Sequence, residues 1–372
     1  MGAYTAELGA ALVAQGAAVR VLTSTQAGAD RPPGADDTRR GVQVRPVVAG
    51  WGPSIWTSVR RQARDFGAEW IHIQYQTAAF HMNPAVNLGP WGWRRQARVA
   101  WTYHDLLVPY LFPKAGAALR RWITHLPARL CDLPIVTNEG DRLALAAQGI
   151  AAQKSPIGSN IAARAFAPTD VAALRQARGY APADVVVGYF GFLNRSKGGL
   201  TLVRTLDALR HAGLPAHLLM IGERVGASDP TNYAYLQAVE AEIAQRDLTA
   251  RVSWTGRLDD ADVSAALAVC DVLLMPYTDG VSLRRGTLMA GLAHGCAVVT
   301  TFPQSLLPEL VDGEHLYYVP PEDPQAAAHA VQRLVTDSRL AQRVRHGART
   351  ASQAFRWDTI ARQHLEFYAT PQ

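Results

Sequence analysis

The sequence predicts an α/β protein with two doubly wound domains, each built around a largely parallel sheet. Short apolar runs alternate with helical patterns along the chain, as expected of βαβ units. The 372 residues, of which 48% are hydrophobic and 18% are charged, are sufficient to bury a large core. This length exceeds that of one average domain, so two domains are the natural expectation.

The first half contains an N-terminal helix and four predicted strands. Leu8 and Leu12 share one face of a helix predicted over residues 5–15, because they are four residues apart. The strands are predicted at residues 17–23, 70–74, 99–103 and 133–137. Gly2 leads directly into the helix, although a sheet built from βαβ units is expected to have a strand before this helix. Either the coding start lies upstream or the domain has lost that strand. We favour the first, because losing a central strand leaves both its neighbours with unpaired backbone groups.

A polar, alanine-rich passage at residues 162–183, containing Pro168 and Pro182, marks the predicted boundary between the domains. We therefore expect one domain over residues 1–165 and a second over residues 166–352. The second half contains predicted strands at residues 185–190, 217–221, 252–255, 272–275, 297–300 and 317–319. The final segment, 353–372, contains an aromatic-rich helix that we expect to pack back on the N-terminal domain.

Composition limits the class of function. Cys131, Cys270 and Cys296 are too far apart in sequence for a zinc motif, so we expect buried thiols. The net charge of +6 comes from scattered arginines, without the basic stripe and aromatics of a nucleic-acid binder. It is compatible with a phosphorylated substrate or with weak attachment to an anionic membrane face. No apolar run of about eighteen residues and no signal-peptide pattern occur, so we expect a cytoplasmic location, including the inner membrane face.

Residues 188–199, GYFGFLNRSKGG, form the first candidate site. A predicted strand ends there in a glycine-containing loop with Arg195 and Lys197, and a helix follows. A strand, loop and helix in this order direct backbone N–H groups and the helix dipole at an anion. Two cations beside them suit a diphosphate. Taken alone, the loop is better explained as a solvated turn with a helix C-cap glycine nearby.

Residues 279–301, DGVSLRRGTLMAGLAHGCAVVTT, form the second candidate site. Arg284 and Arg285 precede a helix that is predicted to begin near Thr287. Two adjacent guanidinium groups repel each other unless solvent or an anion screens them. Phosphate binding would relieve the repulsion, and an exposed surface loop is the alternative.

Together these stretches resemble the C-terminal half of family 4 glycosyltransferases of the GT-B fold. The resemblance extends over nearly the whole chain. Single motifs are loose, but their order and spacing are jointly specific. The matching positions are Gly2 before the first helix, Tyr103-His104-Asp105, Pro156-Ile157-Gly158, VSWTG at 252–256, PELVDG at 308–313 and Val319-Pro320.

The resemblance implies two Rossmann-like domains facing a central cleft. It also implies retaining transfer of a hexose from a nucleoside-diphosphate sugar to a glycan, lipid-linked or small-molecule acceptor, without a cofactor or required metal. Arg195 and Lys197 would neutralise charge developing on the leaving phosphate. His104 would face the reacting sugar, unless it is a structural partner of Asp105. The residues implied in donor binding are Gly2, Gly256, Arg257, Ser282, Arg284, Arg285, Gly286 and Thr287.

Two departures from the family pattern point to a divergent branch. Phe192 occupies a position where the family commonly has arginine. Ser282 and Ala290 occupy the positions of two glutamates that the family commonly has by the sugar and the ribose, and no carboxylate lies between Asp279 and Glu309. Arg284 and Arg285 would compensate by binding the diphosphate, and we expect both side chains to be accessible in the empty cleft.

Two further interpretations belong to other classes of protein. One is a catalytically silent GT-B domain that acts as a binding or scaffold partner. The other is a sugar-nucleotide epimerase with acid and base groups in the cleft.

The string DDAD at 259–262 looks like an acidic metal-binding motif. Its place before Val263 and Leu267 predicts a helix N-terminus instead.

Overall fold

The computed structural model describes residues 1–25, 37–106, 116–224 and 230–370. They form two compact units. The first consists of Met1–Gly158 and Arg356–Gln372, and the second of Ser159–Phe355. The predicted boundaries, after residues 165 and 352, lie near these two divisions of the chain.

Helices and strands alternate along both units. Helices α1 to α13 span Gly2–Ala14, Ser54–Phe66, Gly89–Trp93, Ala117–Leu130, Glu139–Ala146, Pro168–Ala177, Gly199–His211, Pro230–Gln245, Asp260–Ala268, Gly286–Ala293, Pro324–Thr336, Ser338–Ser352 and Trp357–Ala369. Strands β1 to β13 span Arg20–Ser24, Asp37–Arg39, Val42–Val48, Trp70–Tyr75, Arg98–Tyr103, Leu133–Val136, Gln153–Lys154, Val185–Phe190, Ala216–Ile221, Val252–Trp254, Val272–Met275, Val298–Thr301 and Tyr317–Val319.

The first unit contains two sheets. Strands β4, β5, β6 and β7 form a parallel sheet in that order, and β1, β3 and β2 form a second sheet in which β2 is antiparallel. The four predicted strands are confirmed with shifted ends, whereas β2, β3 and β7 were missed. Strand β3 alternates Val42 and Val44 with polar residues, but Pro46 interrupts it, and its pairing with β1 is irregular near that proline. Proline inside a run argues against a strand, which hid β3.

Helix α13 packs on helix α1 within the first unit. Ile360 and Ala361 are fully buried against Tyr4, Leu8 and Leu12. The shared face of Leu8 and Leu12, predicted from their spacing, is therefore the surface on which α13 lies.

The second unit contains one parallel sheet with strand order β10-β9-β8-β11-β12-β13. All six predicted strands are confirmed. Helices α7, α8 and α11 cover one face of this sheet, and α9 and α10 cover the other. With β8 counted as the first strand, the order is that of a doubly wound dinucleotide-binding sheet. In such a sheet the chain adds strands outward on one side of the first strand and then on the other side, beginning with the fourth strand, so the order reverses between these two strands. Such sheets bind ligands at the carboxyl ends of the strands beside this reversal, here between β8 and β11.

The three cysteines are free. Cys270 and Cys296 are buried, as expected, but Cys131 is only partly buried. Burial raises the pKa of the Cys296 thiol to about 12, so this group stays protonated. Across the described ranges, no helix has both the length and the apolar character needed to cross a bilayer.

Candidate functional site

The loops that follow β8 and β11 meet at the reversal point of the second unit's sheet. Thr278 N donates to the carbonyl oxygen of Ser196 at 3.0 Å. Gly198 has a φ of +70°, and a Cβ at this position would lie 1.9 Å from the carbonyl oxygen of Pro276. Only glycine fits there, so this residue allows the two loops to close on each other.

Three adjacent strands end in glycines at this edge. Gly191, Gly222 and Gly256 follow β8, β9 and β10 with φ angles of +126°, +111° and +68°. Gly191 N donates to the carbonyl oxygen of Ile221 at 2.9 Å, and Gly222 pairs with Gly256 in an isolated bridge. Side chains are absent along this line, so a flat ligand can approach the backbone closely. Of these glycines only Gly256 was predicted to belong to the site, although a glycine within two residues of the end of each of the three strands was visible in the sequence.

Tyr277 joins cations from both loops. The Nζ of Lys197 lies 5.1 Å from the centre of the Tyr277 ring, and the Cζ of Arg285 lies 4.6 Å from it. The face of an aromatic ring attracts cations, which explains how the two charges converge. The Tyr277 hydroxyl lies 3.2 Å from the Thr287 hydroxyl and so links the ring to the first turn of α10. Tyr277 is not among the site residues predicted from the sequence.

The charges at this point do not balance. Arg285 donates from Nη2 to both carboxylate oxygens of Asp279 at 2.6 Å. Burial, and then the charge of Arg285, lower the pKa of Lys197 to about 8. The Asp279 carboxylate is therefore already paired with Arg285. Arg195, which is on the same loop as Lys197, is exposed. An anion bound here would stabilise the charged form of Lys197.

The expectation that both paired arginines are accessible is wrong for Arg285. Arg284 is exposed, but only 18% of the Arg285 side chain is exposed. The Tyr277 ring and the Asp279 carboxylate cover Arg285 and relieve part of the repulsion that the sequence analysis assigned to an anion. Arg285 therefore has a packing role as well as a charge.

The two helix N-termini at the site differ. Leu200 N, in the first turn of α7, donates to the Tyr235 hydroxyl at 3.2 Å, so part of that helix end is capped internally. Helix α10 begins at the exposed Gly286, and its N-cap residue, Arg285, makes no side-chain capping hydrogen bond. The first turn of α10 is thus the better-placed helix dipole for an anion.

Ser282 and Ala290, the positions at which the family resemblance implies glutamates, lie in different surroundings. Ser282 is half-buried, and its carbonyl oxygen accepts from Arg285 N at 3.1 Å. Ala290, on α10, is completely buried in the core on which this helix packs. Phe192 is exposed on the loop after β8, and Arg257 is exposed after β10.

His104 and Gly2 belong to the first unit. His104 directly follows β5 and is buried, with its Nε2 3.0 Å from the Gln74 Oε1 and its ring edge-on to Tyr4. Burial lowers the pKa of His104 to about 3. This imidazole is therefore neutral at physiological pH. Gly2, at the start of α1, is exposed, with open space where a Cβ would be.

The acidic string at 259–262 begins a helix, as predicted. The Asp259 carboxylate accepts from Asp262 N at 2.9 Å and caps α9. Its acidic first turn suits the positive end of the helix dipole.

An α/β unit with parallel strands, followed by a second unit with a Rossmann-type strand order, is the arrangement expected of the GT-B class of proteins. Family comparisons agree with this class. Residues 1–158 match the family described as "Glycosyl transferase 4-like domain", and residues 184–337 match "Glycosyl transferases group 1". The chain belongs to the family 4 glycosyltransferases, which are enzymes that transfer sugars.

Curated relatives include mycobacterial enzymes. Over 325 residues the chain is 23% identical to "Phosphatidyl-myo-inositol mannosyltransferase" of Mycobacterium leprae (strain TN), covering 86% of this chain and 78% of that protein. Over 127 residues it is 32% identical to the protein of the same name from Mycobacterium tuberculosis (strain H37Rv), covering 33% of each.

Solved structures share the fold. A glycosyltransferase from Rickettsia africae ESF-5 superposes with a TM-score of 0.76 at 14% identity, covering 98% of this chain and 93% of that one. Anabaena HepE in complex with UDP and glucose superposes with a TM-score of 0.72 at 20% identity, covering 98% and 95%. Sucrose-phosphate synthase from Thermosynechococcus elongatus gives a TM-score of 0.72 at 22% identity, covering 97% and 91%.

Proposed function

We propose that this glycosyltransferase moves a hexose, with retention, from a nucleoside-diphosphate sugar to a lipid-linked or glycan acceptor. The observation that carries the proposal is the convergence of Lys197 and Arg285 on Tyr277 at the reversal point of the second unit's sheet. Arg195 and the first turn of α10 add positive potential near this point. Gly191, Gly222 and Gly256 leave the backbone open to a ligand.

This arrangement suits departure of a nucleoside diphosphate. When the bond between the anomeric carbon and the phosphate oxygen breaks, its electron pair stays on the phosphate. Lys197, Arg195 and Arg285 would bind the diphosphate and stabilise the growing negative charge, which is the largest effect that such a site supplies. In our proposal Arg257 and Gly256 lie near the nucleobase, and Ser282, Gly286 and Thr287 line the phosphates and sugar.

The acceptor side is assigned to the first unit. We propose that the exposed backbone at Gly2 faces the sugar and that His104, which is neutral, acts as a hydrogen-bonding group and not as an imidazolium acid. The name of the mycobacterial relatives supports a lipid-linked acceptor, and the HepE complex supports a nucleotide donor. We expect transfer to need no metal, so activity should survive EDTA.

A catalytically silent domain is the second candidate. It is favoured by the replacement of both family glutamates, with Ala290 buried where it cannot contact a ligand. Such a domain would still bind the nucleotide but would not transfer or hydrolyse the sugar. Turnover therefore separates the two candidates.

Nucleotide binding tests the site. A panel of nucleotide sugars screened by thermal shift identifies the donor, and calorimetry then gives the affinity of each variant. Arg195→Ala and Lys197→Ala should each weaken binding by about 1.5 to 3 kcal/mol, the range for a hydrogen bond to a charged group. Arg339→Ala, an exposed arginine on α12, is the matched control. Unchanged affinity in both site variants would remove the proposed diphosphate site.

A further inference from the structure

Large apolar side chains are exposed where helices α3 and α4 of the first unit meet. Trp91 on α3 is 68% exposed, and Leu119 and Trp122 on α4 are 57% and 54% exposed. Leu88, just before α3, is exposed as well. We call these four residues the tryptophan face. A group of exposed aromatic and aliphatic side chains marks a surface that contacts an apolar partner.

Buried contacts join the two helices that carry the tryptophan face. Asn87 Nδ2 donates to the carbonyl oxygen of Ile123 at 2.8 Å, and each of these two residues adjoins a member of the tryptophan face. Helix α3 also contacts α4 directly. Helices α3 and α4 are therefore neighbours, so their exposed residues belong to the same region of the first unit's surface.

Local packing fixes the outward position of Trp91. Trp93, two residues further along α3, is completely buried and donates from Nε1 to the carbonyl oxygen of Trp56 at 3.3 Å. A Cβ at Gly89 would lie 2.2 Å from the Trp93 ring, so the start of the helix closes directly over that ring. With Trp93 anchored in the core, Trp91 is left in solvent.

The charge around the tryptophan face is strongly positive. Between residues 76 and 131 the sequence contains six arginines and one lysine, but Asp105 is the only carboxylate. Arg95 and Arg121, which are close to Trp91 and Trp122 in sequence, are exposed, and Arg120 is half-buried. Arg94 is paired with Asp132 at 2.6 Å, so its charge is already neutralised.

We propose that the tryptophan face, with Arg95, Arg120 and Arg121, docks the protein on an anionic lipid bilayer. Tryptophan favours the boundary between lipid and water because its ring is apolar and its N–H is polar. Arginines within a Debye length of the surface add attraction to anionic headgroups. Exposed apolar side chains, and basic residues that outnumber carboxylates between residues 76 and 131, match both requirements. The proposal concerns attachment alone and does not depend on sugar transfer.

Co-sedimentation of the full chain with vesicles tests the proposal without donor or acceptor. We expect binding to mixed phosphatidylcholine and phosphatidylglycerol vesicles, weakened by salt, and little binding to phosphatidylcholine alone. Trp122→Ala should lower the partition coefficient about tenfold or more, because one apolar side chain no longer enters the lipid. Arg121→Gln should lower it about fivefold.

Matched controls keep the test specific. Tyr233→Ala on α8, where the side chain is 59% exposed, and Arg339→Gln on α12 should bind vesicles like the unsubstituted protein. Melting curves establish that each variant is folded. Equal partition of Trp122→Ala and Arg121→Gln with the unsubstituted protein would overturn the proposal. So would a protein that ignores vesicles but forms a dimer that Trp122→Ala dissociates, because the face would then bind protein.

Discussion

At the scale of single residues, Lys197 shows how burial and charge compete within the site. Its pKa is lowered to about 8 because the ammonium is partly desolvated and faces Arg285. The unfolded chain binds this proton up to about 10.5, so burial of the charged group costs stability below pH 8. That cost diminishes as the pH rises from 8 towards 10.5. An anion that pairs with the ammonium reverses this cost.

Lys197 should therefore make nucleotide affinity depend on pH. Between pH 7 and 9 the free protein loses the Lys197 proton, so we expect the affinity for the nucleoside diphosphate to fall across this interval. Lys197→Arg should retain its affinity, because arginine stays protonated. Calorimetry in two buffers of different ionisation enthalpy measures both affinity and proton uptake. Parallel pH profiles for the two proteins would show that Lys197 does not contact the diphosphate.

Arg284 and Arg285 should differ in their effects, although they are neighbours. Arg285→Ala removes the contacts to Asp279 and Tyr277, so it should reduce both transfer and melting temperature. Arg285→Lys should restore transfer only partly, since the planar fork is lost. Arg284→Ala should reduce transfer while leaving the melting curve unchanged, because Arg284 is exposed. Full turnover in both alanine variants would contradict this account, because Arg285 would then have only a structural role and Arg284 would be a surface residue without a role in transfer.

The sequence placed these arginines correctly in a glycine-rich loop but did not reveal their partners. Arg285 and Lys197 are far apart along the chain, and Tyr277 joins them only because β8 and β11 are neighbours in the sheet. Asp279 was within the stretch considered, but its ion pair with Arg285 depends on the turn that brings them together. Residue types were thus predictable, whereas pairings needed the strand order.

At the scale of elements, the second unit was more predictable than the first. Strands buried on both faces of a parallel sheet are continuous apolar runs, as in β8 and β11, and such runs are easily found. Strand β7 has only two residues and β3 contains Pro46, so neither gives a clear signal. The helix at the C-terminus was predicted, and its aromatic residues explain where it lies.

Helix α13 places a histidine in a dry environment, which makes the first unit sensitive to acid. His364 is completely buried, its Nδ1 lies 2.8 Å from the Ile360 carbonyl oxygen, and burial lowers its pKa to about 4. Burial also lowers the pKa of His72, whose Nδ1 lies 2.6 Å from the Tyr368 hydroxyl. Both groups are neutral in the folded protein.

Acid should therefore loosen α13. The unfolded chain takes up the His364 proton below about pH 6.5, before the folded protein does, so stability falls as the pH drops from 6.5 towards 4. Each such group contributes a slope of up to about 1.4 kcal/mol per pH unit. Melting temperatures across this interval should fall less steeply for His364→Leu. His329→Leu, an exposed histidine on α11, should behave like the unsubstituted protein. The same slope in all three proteins would contradict this account.

At the scale of the whole molecule, the chain has the GT-B fold of the family 4 glycosyltransferases. Ser282 and Ala290 stand at the positions where the family resemblance implies two glutamates, so we expect its donor site to differ from the family pattern. Our central claim is that the cations around Tyr277 bind the diphosphate well enough for transfer to proceed without the two carboxylates. The claim requires chemistry as well as binding, because a silent domain would also bind nucleotide.

Product analysis tests this claim most directly. The cognate nucleotide sugar, identified from the donor panel, is incubated with acceptor, and NMR follows the anomeric configuration of the product. We predict a glycoside with the configuration of the donor, formed by the unsubstituted protein and strongly reduced in Lys197→Ala. Tight donor binding with no transfer or hydrolysis would assign the chain to the silent domains, and a product of inverted configuration would contradict the retaining mechanism.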